Sequence, residues 1–471
     1  MNQTLKFNLL CGGTITRTIN TETSLFDIIK TLEDSNAFIY KIYKQGEEEP
    51  LLLQTSLELV SQFTEPLFLL KGEISNELFT LWNNSIKTDT NIHELYYKDS
   101  LHLDQKYYSF EPIRQFIQLK SLNIHYTSSY NVCPLIYTDT LVNLEKLEIT
   151  NCVTISSLTN FKNMPQLKSL SIINGVNILD ISDLIHLKQI EYLKLWDCSR
   201  LSNIDIIHFL PTLKTINLYH CINIVSIEPF NTLINLQHIY LFKCHRLYNI
   251  VPLTNLLNIN LLELYSDTHM QQIRDVSAIK SLVNLQYLKL LCNDAIDNNL
   301  EQDHILDNLN NLDTIELWNC SHINNIRLPS NIVQLYLHKC TLFSFKTIIH
   351  LTKLKVLYIE LKNNIIYYPN ISEVLYNLEH IDQFKELTSL SLTGLYITDI
   401  SIIEKLDKLT TLRLNKCNNI LSIDFLKRMP SITRVDIVDC ISLFVNKDTL
   451  SFIYTLENIT QLNIIDTTEP V

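Results

Sequence analysis

The chain has 471 residues, 46% of them apolar, and carries 50 acidic against 38 basic side chains, a formal net charge of −12. That balance argues against a surface built for phosphate backbones, which needs clustered Lys and Arg, so no nucleic-acid partner is expected. No apolar run approaches the roughly 20 residues of a membrane-spanning helix, so no membrane span is expected either.

The opening segment, MNQTLKFNLLCGGT, lacks a basic stretch followed by a long apolar core, so it does not read as a secretory signal. Eleven cysteines without such a signal read as free thiols of a reducing compartment. A cytoplasmic location is the expectation.

Residues 1–72 have a rhythm of their own. TLKFNLL alternates, Cys11-Gly12-Gly13 offers a tight turn, and TITRTIN alternates again. Thr23 or Ser24 can cap a helix over about 24–34, running LFDIIKTLED. FIYKIYK and the stretch around LFLL at 67–70 supply two more strands, with GEEEP as a turn. The order strand, turn, strand, helix, strand, strand resembles a ubiquitin-like β-grasp domain, most of all its Ras-association and FERM amino-terminal members. The resemblance implies a small β-grasp fold that recruits a second protein, a small GTPase or another. The chain departs from conjugating members, because Lys71-Gly72-Glu73 continues where they end in Gly-Gly. Arg17 and Lys6 are the basic residues a Ras-type partner would use, but Glu22, Asp27, Glu33 and Asp34 lie nearby. Residues 73–116, with Trp82, Tyr96-Tyr97 and Tyr107-Tyr108, are too apolar for a disordered linker. They read as a linker and amino-terminal cap for a stack of repeats.

From about 117 to 471 one phrase recurs, L-x-x-L-x-L-x-x-C. Leu147, Leu170, Leu193, Ile216, Ile239 and Leu262 are spaced 23 residues apart in its second leucine slot. Cys152, Cys198, Cys221, Cys244, Cys320, Cys340, Cys417 and Cys440 close versions of it. Period-2 alternation followed by three-residue apolar steps (Leu201, Ile204, Ile207, Leu210) describes a strand, a corner and a return path. About fifteen such rungs fit, each too small to bury its own apolar face alone. The fold class is therefore α/β: a repeat solenoid with a parallel sheet on its concave face, preceded by the small amino-terminal domain.

A column of thiols all pointing one way suits neither a disulfide nor a tetrahedral metal centre, so no metal and no cofactor are expected. The period breaks at an acidic insert over 293–311, at the compact RLPSNIVQLYL, and at a longer insert over 362–384. The inserts read as loops or helices off the strand face. The whole segment resembles the cysteine-type leucine-rich repeats of protozoan and large-virus proteins, which implies protein binding.

Side chains between the leucines point onto the concave sheet. The slot after the third apolar position holds Trp196, Tyr219, Phe242, Tyr265, Leu291 and Trp318. Two residues earlier come Lys194, Asn217, Tyr240, Glu263, Lys289 and Glu316, and His220 and Lys243 edge the file. Later rungs lose it, with Thr393, Asn415 and Val438 in the slot. Such a row is what interface centres are made of. Trp196, Tyr219, His220, Tyr240, Phe242, Lys243, Tyr265 and Trp318 are thus the candidate partner-binding residues.

No catalytic motif is present: no phosphate loop, no Gly-x-Ser-x-Gly, no His-Glu-x-x-His, no Cys-x-x-Cys, and only six glycines in all. The expected function is a non-enzymatic interaction scaffold gripping a protein on the concave face. The alternative is a substrate-receptor or adaptor subunit of a ubiquitin-type ligase, although no RING or F-box pattern is visible.

Overall fold

The computed structural model describes residues 2–9, 14–20, 38–44, 67–73, 100–103, 119–125, 138–151, 153, 155–156, 158–265, 273–321, 323–340, 344–361, 378–445 and 452–467. The helix expected over 24–34, most of the cap segment, Cys152 and the body of the 362–384 insert lie outside these. The chain divides into two compact units, Met1–Ile190 and Glu191–Val471.

The first unit opens with a four-stranded sheet. Its strands are β1 (Asn2–Leu9), β2 (Thr14–Asn20), β3 (Phe38–Lys44) and β4 (Leu67–Glu73), in the order β2-β1-β4-β3. β1 runs antiparallel to β2 and parallel to β4, and β3 is antiparallel to β4. The unit continues with four parallel strands, β5 (Ser100–Leu103), β6 (Ser121–His125), β7 (Lys146–Thr150) and β8 (Ser169–Ile173). β5 falls inside the segment read from sequence as linker and cap, so the parallel ladder begins one strand earlier than its leucines announce.

The second unit contains twelve parallel strands in chain order. They are β9 (Tyr192–Trp196), β10 (Thr215–Tyr219), β11 (His238–Phe242), β12 (Leu261–Tyr265), β13 (Tyr287–Leu291) and β14 (Thr314–Trp318). Then come β15 (Gln334–Cys340), β16 (Val356–Leu361), β17 (Ser389–Thr393), β18 (Thr411–Asn415), β19 (Arg434–Val438) and β20 (Gln461–Ile465). Equivalent leucines sit directly opposite one another: Leu193 faces Ile216, which faces Ile239, which faces Leu262. All four are fully buried, as are Leu147 and Leu170 in the first unit. Alternation along a five-residue strand sends two apolar side chains inward and three outward.

The three-residue steps after each strand become short 3-10 helices, among them Asp205–Phe209, Glu228–Thr232 and Val251–Leu253. In a 3-10 turn, side chains three apart eclipse. That stacks Ile204, Ile207 and Leu210 on one inward line, each at most 2% exposed. A polar residue two positions ahead starts each turn: Asn203, Ser226 and Asn249 accept from the backbone amides of Asp205, Glu228 and Val251.

Two side-chain ladders tie the rungs together. The thiols of Cys221, Cys244, Cys340, Cys417 and Cys440 each donate to a carbonyl of the preceding rung, at 3.4–3.6 Å. The eight described cysteines are free thiols and all are buried. On the return side, the amides of Asn235, Asn258, Asn284 and Asn311 donate to the carbonyls of Pro211, Ile234, Leu257 and Val283. Backbone acceptors that no strand pairs are satisfied in this way.

The acidic insert contains a nine-residue helix, α1 (Asp294–Gln302), whose N-cap Asn293 accepts from the Ile296 amide at 3.0 Å. Near the carboxyl end a second helix, α2 (Ile441–Val445), packs Leu443 inward.

Candidate functional site

The face of the second-unit sheet opposite the leucines was expected to be concave and aromatic. Trp196, Tyr219, Phe242, Tyr265 and Trp318 all lie on it, in one row and half-buried. Ring centroids are 4.1 Å apart for Trp196–Tyr219, 5.8 Å for Tyr219–Phe242 and 5.8 Å for Phe242–Tyr265. The row then skips a rung. Leu291, expected in it, is only 4% exposed, and Tyr265 and Trp318 close over it at 4.9 Å. The physical reason is local, since β13 runs almost straight into α1 and the left-handed corner that follows β10, β11 and β14 is missing there.

The row also continues past its expected end. His338 stacks on Trp318 with centroids 4.0 Å apart, and Tyr358, from the neighbouring column, comes next at 4.5 Å from His338. Sequence reasoning missed these two. The signal was available, because QLYLHKC repeats the leucine phrase with His338 in the aromatic slot. Rings at such spacings contribute about 0.5–1.5 kcal/mol per pair beyond their buried area. Three lysines cover ring faces: Lys194 lies 4.7 Å from the Trp196 ring, Lys243 5.5 Å from Tyr219, and Lys289 4.9 Å from Tyr265.

Tyr240 stands in the neighbouring column, opposite Asn217 and Glu263. Further along that column lies a polar hub. Glu316 pairs with Lys289 at 3.0 Å and accepts from the Tyr287 hydroxyl at 2.8 Å and from the Trp318 indole at 2.6 Å. His338 bridges it to Glu360, with 3.4 Å and 3.3 Å to the two carboxylates. Burial pushes the Glu316 carboxyl up, but the hydrogen bonds from Lys289, Tyr287 and Trp318 outweigh it and hold the group below the usual carboxylate range. Glu263 behaves the opposite way. Burial raises it, Lys289 opposes and Glu316 adds to the rise. Its carboxylate makes no hydrogen bond or ion pair among the described residues.

His220 and Lys243 occupy the corners after β10 and β11, with φ of 53° and 51°. Asn151, Asn174, Asp197, Asn319, Gly394, Lys416 and Asp439 hold equivalent corners with positive φ. The left-handed turn lets a corner amide extend the sheet by one bond, as from His220 to the Phe242 carbonyl at 2.8 Å and from Lys243 to the Tyr265 carbonyl at 2.9 Å. Asp197 and His220 pair side chain to side chain at their partly exposed corner.

Cys292 falls one residue before the cysteine slot, a register that would place it on this face, yet it is buried, 6% exposed. In place of a left-handed corner, Asn293 caps α1, and the thiol turns inward toward Cys320 and Asp297.

Strand, corner, 3-10 return and a column of inward leucines define a leucine-rich-repeat solenoid. No family model matches the chain. No curated protein matches it. Solved structures with a similar course include an internalin of Listeria monocytogenes, 20% identical, covering 77% of this chain and 93% of that one, with a TM-score of 0.46. A leucine-rich-repeat protein of Leptospira interrogans is 20% identical over 75% of this chain and 93% of that one, TM-score 0.45. The functional domain of InlJ from Listeria monocytogenes, described as including a cysteine ladder, is 15% identical over 76% and 67%, TM-score 0.38.

Proposed function

We propose that the chain is a non-enzymatic scaffold that holds a polypeptide partner against the open face of its second-unit sheet. The observation that supports this most is the row of seven half-buried rings from Trp196 to Tyr358, bordered by His220 and Lys243 and flanked by the Glu316 hub. A core needs no aromatic groups on the side facing away from it. A row of rings with a polar border is the composition of interface centres. Glu263 supports a basic residue on the partner, because a half-buried carboxylate lacking a hydrogen bond gains from a cation. The Asp197–His220 pair sits at a partly exposed corner beside the row.

In the same reading the amino-terminal domain recruits a second protein, a small GTPase or another. Its support is the β2-β1-β4-β3 order with one parallel pair, an arrangement compatible with a β-grasp. No described helix is long and apolar enough to cross a membrane. Free buried thiols suit a reducing, cytoplasmic setting.

The test is affinity capture from the source cells with the intact chain and with a Trp196→Ala, Phe242→Ala double variant. The partner is the protein retained by the first and lost by the second, and each truncation should cost about 2 kcal/mol or more of binding. A captured partner whose affinity is unchanged for a stably folded double variant would move the interface elsewhere.

A further inference from the structure

Ladder thiols that all point the same way cannot surround a metal ion. One rung escapes this limit. After β13 the chain enters α1 without the usual corner, and the first turn of that helix brings a carboxylate to the thiol column from another direction. Asp297 is 0% exposed, Cys320 0% and Cys292 6%. One ligand atom from each of these three residues lies within 4.8 Å of the others. In a tetrahedral zinc site, metal–sulfur bonds of about 2.3 Å and metal–oxygen bonds of about 2.0 Å set the donors roughly 3.5–4 Å apart. Donors 4.8 Å apart therefore need to close by about 1 Å.

We infer that Cys292, Asp297 and Cys320 form a binding site for one thiophilic divalent cation, with Zn²⁺ the ion whose chemistry fits best. Two sulfurs and one carboxylate oxygen are a donor set that favours zinc over magnesium or calcium, which take oxygen only. The arrangement carries features of a built site. Asp297 Oδ2 accepts from the Ser321 backbone amide at 2.9 Å, which fixes the carboxylate's orientation as groups behind a metal ligand do. Rungs closed by Cys221, Cys244, Cys340, Cys417 or Cys440 direct their thiols to backbone carbonyls.

On binding, the Cys292 and Cys320 thiols each lose a proton to solvent and form a metal–sulfur bond, and the Asp297 carboxylate adds a metal–oxygen bond. Two thiolates and one carboxylate around a dication leave a net charge of −1, and two protons are released. Affinity therefore rises with pH. Because the donors are buried, the ion enters as the chain folds.

The intact chain should be refolded in reductant with Zn²⁺, passed over a sizing column with a weak chelator, and its metal counted. A parallel refolding with Co²⁺ reads sulfur ligation from the charge-transfer absorption. About one equivalent per chain is expected for the wild type and for Cys417→Ser, a ladder variant in a different rung. Asp297→Asn and Cys320→Ser should each retain under about a tenth of that. Three results overturn the site: a metal-free wild type; full retention by Asp297→Asn; or equal loss in Cys417→Ser. Should Asp297→Asn fail to fold, the wild-type cobalt spectrum decides, since absence of a sulfur charge-transfer band excludes thiolate ligation.

Discussion

The imidazole of His338 lies flat on the indole of Trp318, with centroids 4.0 Å apart and planes 10° from parallel. Its two nitrogens are held between Glu316 and Glu360. The stack is thus fixed by the carboxylates as much as by the rings. His338→Ala should remove it, cost about 0.5–1.5 kcal/mol and red-shift the Trp318 emission. Thermal melts and fluorescence on a variant with Trp196 replaced by Phe, which reduces the background, would check both. An unchanged spectrum would mean that the indole does not depend on His338 for its shelter.

Glu263 and Glu316 should give opposite pH signatures. Burial raises Glu263, so the fold binds its proton more tightly than the unfolded chain does. The stability this provides is complete below the unfolded value, about 4.3, and is lost as pH rises through the folded value. Glu263→Gln should therefore raise the melting temperature at neutral pH, and the gain should vanish in acid. For Glu316, burial acts upward but the bonds from Lys289, Tyr287 and Trp318 prevail and lower it. Its contribution is present above about 4.3 and lost as pH falls through the folded value. Glu316→Gln should lower the melting temperature at neutral pH, with the loss fading in acid.

Ladder thiols should be chemically quiet. Burial pushes the Cys244 thiol up to about 12, and a hydrogen bond with Cys198 together with burial raises Cys221 well above an ordinary thiol. Thiolate is the reactive form. Alkylation of the native chain followed by peptide mass spectrometry should leave Cys221, Cys244 and Cys340 unlabelled until the chain opens. Rapid native labelling of any of the three would contradict the packing.

The corner column predicts a substitution pattern. A left-handed residue with a Cβ costs roughly 1–2 kcal/mol, and Asn and Asp bear it best. Gly394, at φ 70°, should lose about 1 kcal/mol on replacement by Ala. Lys243→Asn should be neutral or stabilising, although the same change removes the cation above Tyr219. Denaturant titrations of the two variants would settle the order.

Much of this architecture was readable in advance, for one reason: a period of 23 residues tells where the same environment recurs. Leu193, Ile216 and Ile239 were assigned inward by that period and are fully buried. The corner column was not read from sequence, although Asn151, Asn174, Asp197, Asn319, Gly394 and Asp439 are residue types that tolerate positive φ. His220 and Lys243 hid it, because their conformation is imposed by the sheet bonds of their neighbours, so they read only as polar edge. The aromatic row was seen as far as Trp318 and missed at His338 and Tyr358, where the spacing shortens. Asp297 was beyond reach, because its meeting with Cys292 and Cys320 arises where the period fails and a helix bends the chain across rungs.

The register of β9 through β12 has a consequence for how such a molecule changes over generations. Tyr192, Thr215, His238 and Leu261 stand directly opposite in succession, each 23 residues after the last. A stretch of gene encoding one such unit can be duplicated or excised in frame, and the flanking leucines still meet leucines while the flanking asparagines still meet carbonyls. Each event lengthens or shortens the aromatic row by one ring and leaves the remaining core intact. Reach along a partner is thereby inherited in whole steps, and copying errors can tune it with no need to repack the interior.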